Sequence, residues 1–181
     1  MAIDLIEQIR SQLGYKPLPK IDPNTQEPAS SEAAIPDIGN AAIPAVLAGF
    51  YKGTRSEEAA DKVINTNDKD ILQELFCEQT EEVKQSVAAY SRVSPGAAEA
   101  EMKKIAAAVM EFLGKDLKEV NGSTVKTFFT NQRSNILKHL PVELHMGELI
   151  NDPAMDDRTN KMEGPMSGMM HTIEKIFSSS K

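Results

Sequence analysis

Helix start and stop residues cut this chain into short lengths, and the apolar side chains between them fall at helical spacing. Ser94-Pro95 sets the pattern. A capping hydroxyl precedes proline at the first helical position, where a missing N–H breaks no bond. The helix opened there carries Met102, Ile105, Val109, Phe112 and Leu113 in register, and Gly114 is expected to end it. Upstream, Ser56 with Glu57 and Glu58 behind it starts a helix through about Ile64. Asp68 is placed to cap one that buries Ile71, Leu72, Leu75 and Phe76. Thr80, followed by Glu81 and Glu82, opens another with Val83, Val87 and Tyr90 on one face. Such punctuation predicts an all-α fold: a compact multi-helix domain of short helices, with no sheet.

The remaining boundaries follow from proline and glycine. Residues 1–14 form an amphipathic N-terminal helix with Ile3, Ile6, Ile9 and Leu13 in one row, widened by Leu5 and stopped by Gly14. Pro17, Pro19, Pro23 and Pro28 make 15–29 a linker, because proline at that density forbids a helix. The core domain spans 30–150. Within it, residues 30–53 read as two short helical pieces, the second opening at Pro44 and ending at Gly53. Residues 123–140 read as a further pair, carrying Val125, Phe128, Phe129, Ile136, Leu137 and Leu140, with Pro141 after them. An acidic connector covers 151–164, and an amphipathic C-terminal helix covers 165–181.

Composition narrows the classes of partner. Only 5% of residues are aromatic and none is Trp, so the core must be aliphatic, alanine and methionine, a palette that favours helices. The net charge of −7 repels phosphate backbones, which argues against nucleic acid. No segment holds the roughly 20 apolar residues of a membrane span. The opening MAIDLIEQIR has acidic residues inside its apolar pattern, unlike a secretory leader. The expected compartment is the cytoplasm, where Asn121-Gly122-Ser123 is a turn rather than a glycosylation site and the single Cys77 pairs with nothing.

Three stretches, "AAIPAVLAGFYKGTRSEEAADKVI", "ILQELFCEQTEEVKQSVAAYSRVSPGAAEAEMKKIAAAVMEFLGK" and "FFTNQRSNILKHLP", occur in this order. Together they resemble the YidB-like bacterial domain-of-unknown-function family over roughly residues 40–150. The closing motif is carried by Phe129, Gln132, Asn135, Ile136, Leu140 and Pro141. The resemblance implies a helical bacterial protein without an established catalytic motif, and it supplies no functional residues to transfer.

The methionine-rich "PMSGMMHTIEKIF" invites a metal reading. Its Met166, Met169, Met170, Ile173, Ile176 and Phe177 form one continuous row at ~100° per residue. His171 points about 140° from Met166 and cannot converge with the sulfurs. The row is read as a packing face, because methionine makes adaptable apolar surface. His139 and His145 stand six apart across Pro141, which is no ligand spacing, and His145 with Glu148 is a single weak pair. Asp152, Asp156 and Asp157 lack the alternation and glycine of a calcium loop, so they read as a solvated connector. Cys77 lies between Glu74 and Glu78, which disfavour a thiolate, and is expected in or at the edge of the core.

These readings expect no catalytic, cofactor or metal residues. They favour a non-catalytic protein acting through protein–protein association or self-association. The candidate docking face is the two end rows: Ile3, Ile6, Ile9 and Leu13, and Met166, Met169, Met170, Ile173, Ile176 and Phe177. The alternative is a small-molecule or lipid-fragment carrier with an apolar cavity between helices. An enzyme using His139, Glu143, His145 and Glu148 ranks third.

Overall fold

The computed structural model describes residues 4–21, 37–152 and 155. Its helices are α1 (Leu5–Leu13), α2 (Ile38–Gly53), α3 (Glu57–Ile64), α4 (Ile71–Phe76), α5 (Thr80–Ser91), α6 (Pro95–Asp116), α7 (Gly122–Leu137) and the single turn α8 (Met146–Leu149). Short 3₁₀ turns occupy Cys77–Gln79 and Val142–Leu144. The fold is all-α, and no sheet forms among the described residues.

Helix α2 is the axis of the domain. Its run AAIPAVLAGF is apolar on every side, and a helix of that kind must be surrounded. Every residue of 39–50 is buried, with α4, α5, α6 and α7 packed around it. Pro44 lies inside this helix rather than opening a second one, which corrects the expected break. It has no N–H for the Asn40 carbonyl, and burial of the surrounding alanines, Ile43, Val46 and Leu47 outweighs that loss. At the far side of the core, the Phe50 and Phe129 rings stack with centroids 5.2 Å apart.

Two more breaks disappear. Gly114 keeps helical backbone and α6 runs on to Asp116, where a Glu111–Lys115 pair sits in the last turn. The expected pair over 123–140 is the single helix α7, because no breaker separates Phe128, Phe129, Gln132 and Ile136 at their helical spacing. The Asn121 side chain caps α7, accepting the Thr124 N–H at 2.9 Å. Next to it, Gly122 donates its N–H to Asp61 Oδ1 at 2.7 Å, and a Cβ there would lie 2.2 Å from the Glu57 carbonyl oxygen. Only glycine lets α3 press this closely on the start of α7. Ser56 and Ser94 cap as their sequence suggests, accepting the N–H groups of Ala59 and Ala97. Asp68 does not cap α4. Asn67 takes the N–H groups of Lys69 and Asp70 instead.

An ionic clamp ties α5 to α6. Lys84 is buried, and its ammonium lies 2.6 Å from Glu81 and 2.9 Å from Glu99, which also meets Lys103 at 2.7 Å. Hydrogen bonds from Lys103 and then Lys84 hold the Glu99 carboxyl at about 2, well below its ordinary 4.5. Bonds to Glu81 and then Glu99 push the Lys84 ammonium up from 10.5. A carboxyl lowered in the folded state adds stability above its unfolded value, and that stability is lost as pH falls from about 4.5 toward 2. The raised lysine adds stability below 10.5 that is lost at higher pH. Because Glu99 is 34% exposed, screening reduces its acid-sensitive share to about 1 kcal/mol. In urea titrations, Glu99→Gln is expected to be less stable than the parent by that amount at pH 6, and the gap to close by pH 2. A gap unchanged across that window would remove the clamp's role.

Candidate functional site

The N-terminal row is seated on its own domain. Leu5 and Ile9 are wholly buried, Ile6 is 1% exposed and Leu13 packs half-buried at the edge, against α2, α6 and α7. Asp4 caps the helix by accepting the Glu7 N–H. The N–H of Leu5, which no helical carbonyl can reach, donates to Gln132 Oε1 of α7 at 3.2 Å. At the other end Gln12 donates to Glu111 of α6 at 2.9 Å, and Gly14 closes the helix in the left-handed conformation. Ile3 and the whole C-terminal row, Met166 to Phe177, lie outside the described residues.

The chain after α1 is also seated, which changes the expected linker in its described part, 15–21. Tyr15 lies so close over Gly39 that a Cβ there would come within 2.6 Å of its ring. Leu18 and Ile21 are buried. The Ile21 N–H donates to the Lys138 carbonyl at 2.7 Å, and His139 Nδ1 meets the Pro19 carbonyl at 2.9 Å. A carbonyl can only accept, so that nitrogen carries the proton. Proline stiffens this stretch without preventing its apolar side chains from docking. Leu18 and Ile21, three apart, are the signal in the sequence.

The titratable candidates separate. His139 is buried with its Nδ1 spent on Pro19, whereas His145, Glu143 and Glu148 are exposed, and His145 sits in a left-handed turn at φ 47. Among the described residues no three His, Cys, Asp or Glu side chains come together as a metal site. Cys77 is exposed, contrary to expectation, because the chain turns through φ 52 there as α4 gives way to the 3₁₀ turn. Asp152 is not a solvated connector residue either. It is buried and paired at 2.5 Å with Arg55, whose guanidinium lies over the Tyr51 ring. Met155 behind it is wholly buried, so the core domain extends past the expected boundary at 150.

An open groove of about 400 Å³ runs between the end of α6 and α7, lined by Leu117, Ser123, Thr124, Thr127, Phe128 and Asn131. None of these side chains is a general base at neutral pH, and the Thr124 hydroxyl already donates to Asn121 Oδ1. The groove offers apolar contact and hydroxyls, not acid–base chemistry. No family model, curated protein or solved structure matches the chain. No described helix is long and apolar enough to cross a membrane.

Proposed function

We propose that this is a non-catalytic bacterial protein of YidB-like kind, working in the cytoplasm through association with itself or with a protein partner. The observation that carries the reading is the burial of Ile6 and Ile9 on the chain's own domain. With the N-terminal row so occupied, the C-terminal row Met166, Met169, Met170, Ile173, Ile176 and Phe177 is the apolar face left to meet a partner. Methionine suits that role, since its unbranched side chain adapts to the surface it meets. Light scattering after size exclusion should give the full chain a mass above 19.8 kDa, and a chain ending at residue 155 the mass of a single copy. A full chain that stays a single copy, captures no partner protein and is unaffected by trimming removes the reading.

A second reading has one observation behind it. The α6–α7 groove presents Leu117 and Phe128 beside three hydroxyls, a lining that suits a small amphipathic molecule or lipid fragment. Mass spectrometry under non-denaturing conditions tests it. A co-purified ligand lost on Phe128→Ala supports it, and its absence together with no uptake of an apolar dye counts against it.

A further inference from the structure

The seat of residues 4–21 is built as a binding site, and its occupant is a segment tied to the domain by a long connection. The seat takes three fully buried apolar side chains from one helix face, reads the first helical N–H with Gln132, and reads Gln12 with Glu111. Beyond the helix it receives Tyr15 on Gly39 and the Ile21 N–H on Lys138. None of these contacts depends on which copy of the chain supplies the segment. We propose that the seat accepts residues 4–21 of a second copy, so that two protomers exchange their N-terminal helices.

Two features favour this occupant. The first is the fit itself, shown by the identical segment seated in the structure. The second is length. Residues 22–36 join the segment to α2, and fifteen residues reach up to about 50 Å when extended. A domain near this size has a radius of gyration of only about 15 Å. Helix α1, nine residues long, is marginal alone in water, so it stays docked, on its own domain or on another. Exchange preserves every contact of the closed form, and concentration sets the balance between the two. This surface is separate from the C-terminal row, and the proposal does not rest on it.

The test uses the full chain with Cys77→Ser, which removes the exposed thiol, and with Gln12→Cys and Glu111→Cys. Both positions are exposed, so neither change disturbs the core. Protein refolded over a rising series of concentrations is then bridged with a short bis-maleimide. Exchange is expected to give a covalent dimer whose share grows several-fold with concentration, while the intrachain product dominates at the dilute end. A mixture of chains carrying one cysteine each should give the same dimer. Intrachain product alone at every concentration overturns the proposal. If light scattering nonetheless finds dimers in that case, they belong to the C-terminal row.

Discussion

Phe129→Ala is expected to remove about 3–5 kcal/mol of stability, the usual cost of deleting a fully buried aromatic ring. Phe129 has no exposed surface, stacks on Phe50 with an interplanar angle of 8°, and takes Phe128 edge-on at 5.4 Å. It therefore joins the central helix α2 to α7. The cavity cannot close readily, because small side chains already bring the helices around α2 together, leaving little room to shift. Against a typical domain stability of about 5–15 kcal/mol, the loss is a large fraction of the total. Phe128→Ala, at a half-buried ring, should cost less than half as much. Urea midpoints for the two variants check this. A Phe129→Ala loss below about 1 kcal/mol would mean that α2 and α7 do not meet through these rings.

The sequence was most legible where a local signal agreed with the packing around it. Ser56 and Ser94 cap because a hydroxyl ahead of a helix satisfies a free N–H wherever that helix ends up. Breakers misled where burial overruled them: Pro44 sits inside α2 and Gly114 inside α6. Both look like stops when only neighbours in the chain are considered. Residues 140–146, LPVELHM, show the reverse. Their apolar side chains alternate, Leu140, Leu144 and Met146 are buried, and yet the backbone forms a 3₁₀ turn rather than a strand. Period-two burial alone does not make a strand; a partner edge is also required.

The contacts around the candidate faces were the least legible, because they join residues far apart in the chain. Gln132 meeting Leu5, His139 meeting Pro19 and Arg55 meeting Asp152 leave no trace in local spacing. Asp152 shows the consequence. Its neighbours Asp156 and Asp157 suggest a solvated run, and only the distant Arg55 makes its burial tolerable. The row Ile6 and Ile9 was legible as an apolar face, but spacing cannot say what covers such a face.

That question has a measurable answer in the double variant Ile6→Ala with Ile9→Ala. Each change removes a fully buried branched side chain, which costs about 2–5 kcal/mol, so together they could take about 4–10 kcal/mol. The full sum is not expected. A nine-residue helix at the end of the chain can leave as a unit, and once it has left, further changes to it cost the domain nothing. The loss should therefore level off at whatever α1 contributes, near the lower end of that range. Hydrogen exchange would separate the two parts. Amides of 5–13 should become fast in the double variant, while those of α6 and α7 keep protection reduced only by the loss of α1. An apolar dye should also bind the emptied seat beside Gln132. If instead the double change costs under about 0.5 kcal/mol, α1 is an appendage and the folded unit starts at α2. The seat could then be neither the resting place of this helix nor the site of its exchange.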